Sequence, residues 1–332
     1  MLLLALMTLF MVAAFACSGT PRTNDKMVFM AGFKPQANLP FVAAYVAQEK
    51  GYFKEQGLEV EILHASQGEH LQLLMSGDVD VTTADATSVL KRRSDPGLPI
   101  TAFALFGQRG QQGFVALESS GMRSPADWEG HTFGYKFSQP PDYLAILDSQ
   151  GVDRSTIKEV RVGFDPRVLT EGRVDILAIF KSNEPDTIRR LGFEVVVWDP
   201  EDFGVPSLGL TYITREEDLT NEAERYERFL KATLKGLQFA MDNREETLDI
   251  VLKYAPGEMR EHQAFMLETE IRDAVGPVTR ELGMGWMNDE QWRALYEQLI
   301  EFEALPGPFE YETAYTDDIL RAVYEDGSLR WP

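Results

Sequence analysis

Residues 27–63, MVFMAGFKPQANLPFVAAYVAQEKGYFKEQGLEVEIL, decide the fold class. Residues 27–32 form a short apolar run typical of a strand, and residues 41–46 carry apolar side chains at helical spacing before Gly51, a common helix stop. Residues 58–63, LEVEIL, then alternate apolar and acidic side chains, as a half-buried strand does. A strand, a helix and a second strand in this order predict the first unit of an α/β fold.

The same alternation continues along the chain. Before residue 120, the pattern predicts strands at 79–82, 100–106 and 114–117 and helices at 70–76 and 85–91. After residue 127, it predicts strands at 133–135, 160–162, 174–180 and 194–198 and a helix at 141–149. From Thr220 onward it predicts helices at 223–243, 244–254, 258–274, 289–303 and 313–324. We therefore expect an α/β protein with mixed, mostly parallel sheets, in which the C-terminal helices pack back on the first unit.

Composition limits the possible partners. The chain has 332 residues, with 32 Lys and Arg against 53 Asp and Glu, which gives a formal net charge of −21. Its 44% hydrophobic and 11% aromatic content is that of a globular protein long enough for two cores. Proteins that bind nucleic acid or anionic headgroups need clustered Lys and Arg. The charge therefore argues against nucleic acid as a partner.

The N-terminus predicts an address outside the cytoplasm. Residues 1–16 are apolar and uncharged, too short to span a bilayer but long enough for a signal peptide, and the single cysteine, Cys17, follows directly. Residues 17–25 are a polar tether. The segment resembles a bacterial lipoprotein signal, which implies that the mature chain begins at Cys17 and carries lipid such as palmitate there, anchored to the cell membrane. The alternatives are an ordinary cleaved signal peptide and a misassigned start codon.

Catalytic signatures are scarce. The sequence contains no G-x-S-x-G, H-E-x-x-H, Walker or G-x-G-x-x-G pattern in the required context. Its four histidines, His64, His70, His131 and His262, are scattered, and one cysteine cannot form a thiolate metal site. We expect no catalytic residues, no metal and no cofactor.

A set of motifs occurs instead in a fixed order along the chain. The motifs are GFKPQANLPF at 32–41, EKGYF at 49–53, GLEV at 57–60, GDVD at 77–80, SPADWEG at 124–130, GRVD at 172–175, NEP at 183–185 and DFGVP at 202–206. In this order they resemble the extracytoplasmic solute-binding proteins of ABC importers, in particular the branch that binds pyrimidine precursors of thiamine and related vitamins. The resemblance covers residues 27–215 well and the helical tail only in general form.

The resemblance implies a periplasmic-binding-protein-like fold in which two lobes close like a hinge on a small ligand. The first lobe would comprise residues 27–113 plus 214–332, and the second residues 114–213. It also implies a monomer that delivers its ligand to a membrane permease and is not an enzyme. A biosynthetic enzyme of the pyrimidine pathway on the same fold is a distant alternative, because that type uses a cysteine-rich motif and a histidine.

Candidate ligand-binding residues follow from the rule that ligands sit beyond the carboxyl ends of strands in open α/β sheets. Aromatic side chains can stack on the faces of a flat heterocycle, and side-chain amides can form hydrogen bonds with the donors and acceptors along its edge. A carboxylate at 184 could accept from an exocyclic amine or pair with Arg189 or Arg190. The candidates are Phe33, Gln36, Asn38, Phe41, Thr83, Asp85, Gln108, Phe137, Ser138, Phe180, Asn183 and Glu184.

The sequence of the loop at 33–41 bears on which heterocycle the protein is expected to bind. Thiamine-precursor binders of this branch usually carry Trp-x-Pro-Asn where this chain has FKPQ at 33–36, and the loop at 38–41 is closer to a subgroup associated with riboflavin. The resemblance therefore places riboflavin ahead of a formylaminopyrimidine, with sulfonates last because they need anion-binding groups.

Overall fold

The computed structural model describes residues 25–332, and the chain forms two five-stranded sheets. The predicted signal peptide, the lipidation site Cys17 and the tether up to residue 24 lie outside the described residues. The strands are β1 (Asp25–Ala31), β2 (Leu58–His64), β3 (Val81–Asp85), β4 (Ile100–Leu105), β5 (Gln112–Leu117), β6 (Thr132–Tyr135), β7 (Lys158–Arg161), β8 (Ile176–Phe180), β9 (Val195–Trp198), β10 (Leu210–Arg215), β11 (Tyr324–Glu325) and β12 (Ser328–Leu329).

Helices flank both sheets. They are α1 (Leu39–Glu49), α2 (Tyr52–Glu55), α3 (His70–Ser76), α4 (Ala86–Ser94), α5 (Pro141–Gln150), α6 (Arg167–Thr170), α7 (Glu184–Arg190), α8 (Glu216–Asn221), α9 (Ala223–Asp242), α10 (Arg244–Tyr254), α11 (Arg260–Ala274), α12 (Pro277–Leu282), α13 (Asp289–Glu301) and α14 (Asp318–Val323). Within the described part of the chain, no helix is both long and apolar enough to cross a membrane.

The two sheets share one topology. The first has the order β2-β1-β3-β10-β4 and the second β7-β6-β8-β5-β9. In each sheet one strand is antiparallel to its neighbours, β10 in the first and β5 in the second, and the other strands run parallel. This confirms an α/β fold with mixed, mostly parallel sheets. We call the two units lobe one and lobe two; the lobe boundaries at 113/114 and 213/214 stay a prediction.

The chain crosses between the lobes twice, after β4 and before β10, and the crossing segments touch. Gly209 donates its backbone N–H to the carbonyl oxygen of Gly107 at 2.9 Å. A Cβ atom on Gly107 would lie 2.8 Å from the Gly209 Cα, so only glycine permits this approach. The contact defines the hinge region of the molecule.

The C-terminal helices pack on lobe one, and its core contains side chains from residues 27 to 324. The closest approach joins α9 to α1, where a Cβ on Gly236 would lie 2.3 Å from the carbonyl oxygen of Ala43. Lobe two has its own core around Phe114, Trp128 and Tyr143. A second buried cluster of lobe two surrounds Val115, Leu177 and Ile188, so each lobe is stabilised by buried clusters of its own.

Several elements differ from the sequence prediction, and the short helices α2, α6, α7 and α8 are absent from it. Residues 313–324 are not one helix, because a short 3₁₀ turn precedes α14 and the chain then forms the β11–β12 hairpin. The short helix α12 is absent from the prediction; it begins at Pro277, and proline is well tolerated in the first turn of a helix. Strand β10 is absent from the prediction.

Candidate functional site

A cavity of about 210 Å³ lies between the lobes. It sits at the carboxyl ends of β6 and β8 and beside the N-termini of α4 and α5. We call it the cleft cavity. Its lining residues are Asp85, Thr87, Gly110, Gln111, Gln112, Lys136, Phe137, Ser138, Gln139, Pro140, Pro141, Asp142, Ala178, Ile179, Phe180, Ser207 and Leu208.

Lobe two contributes aromatic rings to the cleft cavity. Phe137 is 69% exposed and Phe180 is 41% exposed, which is unusual for large apolar side chains. A third exposed ring, Phe164, packs edge-on against Phe137 at a centroid distance of 5.1 Å. Ser138, also predicted, lines the cavity beside them. The structure thus places three of the predicted residues of lobe two on the cavity and adds Phe164 next to it.

A buried ion pair supports these rings. The Lys136 ammonium pairs with the Glu184 carboxylate, and both side chains are almost fully buried. The other carboxylate oxygen of Glu184 accepts the backbone N–H of Phe180 at 2.8 Å. The same ammonium lies 4.7 Å from the centroid of the Phe180 ring, within the range of a cation–π contact. The pair fixes the position of Phe180.

The expected alternatives for Glu184 are therefore corrected. Its partner is neither Arg189 nor Arg190, and Arg190 instead pairs with Asp186 on its own helix. Both oxygens of Glu184 accept hydrogen bonds in a buried pair, and Glu184 is not among the residues that line the cleft cavity, so its carboxylate holds the wall in place and does not face an exocyclic amine there.

Lobe one contributes Asp85 to the cleft cavity. This residue caps α4, since its carboxylate accepts hydrogen bonds from the backbone N–H of Ser88 at 2.8 Å and from the Ser88 hydroxyl at 2.6 Å. Thr83 is buried, and its hydroxyl oxygen accepts the Gly32 N–H at 3.0 Å, so it supports the loop after β1 and does not line the cavity.

The loop after β1 has a structural role at three of its four predicted positions. Phe41 is 1% exposed, because α1 is buried beneath α9, and its ring belongs to the core of lobe one. The expectation that it offers a face to a ligand is corrected. Gln36 donates to the side-chain oxygen of Asn38 at 2.5 Å, and Asn38 donates to Glu270 at 3.0 Å. Only Phe33, 54% exposed, remains open.

Gln108 also differs from expectation. Its side-chain nitrogen donates to the carbonyl of Trp286 at 2.8 Å, and its oxygen accepts from Gln291 at 2.9 Å. The residue lines a separate cavity of about 300 Å³ beside the hinge. Both ends of its amide are used within lobe one, so it does not read a ligand edge in the cleft cavity.

Polar contacts from α11 join the two lobes. His262 lies 2.7 Å from the Asp186 carboxylate and 3.1 Å from the side-chain oxygen of Asn183, another predicted residue. Burial raises the pKa of Glu270, which accepts hydrogen bonds from Gln111 at 2.8 Å and from Ser182 at 3.0 Å. The helix therefore connects lobe one with the hinge and with lobe two.

Sequence reasoning missed Asp142. It lies in the first turn of α5, lines the cleft cavity and is 7% exposed. Burial raises the pKa of its carboxyl to about 7. The strand-end rule that selected Ser138 applies equally to this turn, which follows it by four residues. Within residues 25–332, no group of three or more His, Cys, Asp or Glu side chains could hold a metal ion.

Two lobes with this topology, joined by two crossings around a cleft, define the periplasmic-binding-protein fold. The periplasmic aliphatic sulphonate binding protein SsuA of Escherichia coli has a similar structure, with a TM-score of 0.70, 14% identity and coverage of 87% of this chain and 91% of that one. Within this fold the chain belongs to the NMT1/THI5 like family, whose profile matches residues 38–247.

Two relatives share about a quarter of their residues with this chain. The formylaminopyrimidine-binding protein of Halalkalibacterium halodurans is 25% identical over 318 residues, which cover 91% of this chain and 94% of the relative. The riboflavin-binding protein RibY of Chloroflexus aurantiacus is 25% identical over 295 residues, which cover 85% and 83%.

Proposed function

We propose that this protein is the substrate-binding component of an ABC importer, which captures a vitamin-like aromatic heterocycle and delivers it to a membrane permease. The observation that carries the proposal is the cleft cavity, where Phe137 and Phe180 expose their rings between two lobes. Solvent-exposed rings at a concave site are typical of ligand binding, because a bound ring buries them. The names of both relatives support the same ligand class.

The proposed ligand is riboflavin. Its tricyclic ring offers more apolar area than a pyrimidine, and the exposed rings Phe137 and Phe180 line the cavity, with Phe164 packed against Phe137. Aromatic stacking contributes about 0.5–1.5 kcal/mol beyond the buried area for each pair. Gln111 and Gln112 line the cavity, and within the described residues their side-chain oxygens accept no hydrogen bond. These oxygens suit the ring N–H of the uracil-like edge.

A formylaminopyrimidine is the second candidate. The cleft cavity, about 210 Å³, is smaller than most ligand pockets, which begin at about 300 Å³. A single pyrimidine would fit inside it, whereas a flavin would extend to the rim at Phe137 and Phe164. Against this candidate, Glu184 is buried in its ion pair and does not line the cleft cavity, so it is not placed to accept from an exocyclic amine.

A titration separates the candidates. Purified protein, stripped of ligand by unfolding and refolding, is titrated with riboflavin while flavin fluorescence is followed, and with formylaminopyrimidine in a calorimeter. We expect quenching at micromolar protein, weakened about tenfold by Phe180→Ala, since burying an aromatic side chain contributes a few kcal/mol and only part is lost. Phe193→Ala is the matched control, because this ring of lobe two lies outside the cavity lining. Binding of the pyrimidine alone would replace riboflavin by the second candidate, and binding of neither would contradict both.

The proposal includes an extracytoplasmic location and no catalysis. Residues 1–16 would act as the signal peptide and Cys17 as the lipid-bearing residue of a monomer anchored to the cell membrane. The distant enzymatic alternative needs a cysteine-rich motif, and the only cysteine of this chain is Cys17. No cofactor is proposed; riboflavin would be cargo.

A further inference from the structure

Two carboxyl groups from different lobes meet at the cleft cavity. Asp85 ends β3 and caps α4 in lobe one, whereas Asp142 lies in the first turn of α5 in lobe two, and both line the cavity. The negative charge of Asp85 is close enough to raise the pKa of Asp142. Closure of the lobes therefore brings two acids together on one ligand-sized space.

Asp142 has unused hydrogen-bonding capacity. One of its oxygens accepts from the Gln298 amide on α13 at 3.2 Å. The other oxygen has no hydrogen-bond partner within residues 25–332, and the Gln298 side-chain oxygen is buried without a partner as well. The open Asp142 oxygen is not among the fully buried atoms, so a ligand group in the cavity can reach it. A carboxylate oxygen without a protein partner, on a residue that lines a cavity, is available to accept a hydrogen bond from a ligand.

Burial and the surrounding charges together place the pKa of the Asp142 carboxyl near 7. Burial is the main cause of its raised pKa of about 7, the Gln298 amide and Lys91 lower it, and Asp85 and Asp199 raise it. A carboxyl that titrates near 7 can donate as well as accept a hydrogen bond. Such a carboxyl suits a ligand group that also both donates and accepts hydrogen bonds.

We propose that Asp142, with Asp85, forms a subsite for the hydroxylated chain of the ligand, beside the aromatic part of the cleft cavity. Alcohol groups both donate and accept, so a chain of hydroxyls can pair with the open oxygen of Asp142 and with the free lone pairs of Asp85. Thr87 and Ser138, which line the same cavity, add further hydroxyl partners. The inference rests on the proposed function, because riboflavin carries such a chain on its ring.

The test compares riboflavin with lumiflavin, which has the same ring but a methyl group in place of the hydroxylated chain. We expect the wild-type protein to bind riboflavin at least about tenfold more tightly, since hydrogen bonds to charged groups contribute about 1.5–3 kcal/mol. Asp142→Leu, which has the same branched shape but cannot form hydrogen bonds, should weaken riboflavin binding about tenfold and leave lumiflavin binding unchanged. Asp148→Leu is the matched control, because this exposed residue lies on the same helix.

The outcomes are distinct. Equal affinity of the wild type for both flavins, or an equal loss for both in Asp142→Leu, would overturn the subsite and leave the proposed ligand intact. If neither flavin binds, the proposed ligand and the subsite fall together. Should Asp142→Leu fail to fold, Asp142→Asn and Asp85→Asn keep the shape of the side chains, and Asn retains the helix cap at position 85. Selective loss of riboflavin affinity in either variant is then the expected result, and an unchanged ratio of the two affinities overturns the subsite.

Discussion

The imidazole of His262 on α11 lies 2.7 Å from the carboxylate of Asp186 on α7, and this pair joins the two lobes across the cleft. The other ring nitrogen contacts Asn183, the residue before α7. One histidine of lobe one therefore contacts two partners of lobe two.

The variant His262→Ala should bind riboflavin about tenfold more weakly, because it removes two hydrogen bonds that join the lobes around the cleft, each contributing about 0.5–1.5 kcal/mol. Fluorescence titration measures the affinity, and small-angle scattering measures the opening of the lobes. His131→Ala is the control, since its partner Asp175 lies in the same lobe. Wild-type affinity in His262→Ala would contradict a role in closure.

The carboxyl of Asp142 should make stability depend on pH in a definite direction. Burial raises its pKa from 3.8 to about 7, so the folded state holds the proton more tightly than the unfolded state. The stability that this provides is fully present below about pH 4 and is lost as pH rises through 7, by up to about 4 kcal/mol. Asp142→Asn should therefore be more stabilising at pH 8 than at pH 4.5 in urea unfolding. Asp148→Asn should show no such difference, and a pH-independent effect of Asp142→Asn would refute the raised pKa.

At the hinge, Gly107→Ala should destabilise the protein by about 1–3 kcal/mol, because its Cβ would lie 2.8 Å from the Gly209 backbone. The two crossing segments must then separate, so ligand affinity should fall as well. Thermal unfolding and flavin titration measure the two effects. Gly163→Ala is the control, since nothing lies within 4 Å of its Cβ. Equal melting temperatures for both variants would show that the crossing segments accommodate a Cβ at position 107 without loss of stability.

The N-terminal prediction is tested in a bacterial host. Wild-type protein should be recovered with the membrane fraction, and Cys17→Ser should be released in soluble form outside the cytoplasm, because lipid attachment needs the thiol. Ser18→Ala should behave as wild type. Soluble wild-type protein of the cleaved mass would instead indicate an ordinary signal peptide.

Much of the fold could be predicted because its signals are local. The apolar periodicity of residues 27–63 and the strand-end rule together place Phe137, Ser138 and Phe180 on the cavity. The β10 strand was missed, although its central residues, Thr211 to Thr214, are strong β-formers.

Other site residues depend on distant partners and could not be predicted. The sequence around Phe41 is compatible with an exposed ring and with a buried one. The ring is buried because α9, about 190 residues later in the chain, packs over α1. Glu184 and Gln108 are engaged by Lys136 and Trp286, which lie far from them in the sequence. Asp142 looks like an ordinary helix-start acid until its burial and its contact with Gln298 are known.

The position of β10 sets an order for folding during synthesis. The five strands of the second sheet, β5 to β9, are contiguous in the chain, so this sheet is complete once residue 198 has left the ribosome. The first sheet has a gap between β3 and β4 until β10 is made, and its core waits further for α9. Since domains fold as units when their segments are available, lobe two can fold while lobe one is still incomplete. The half of the protein that begins first is thus the half that finishes last.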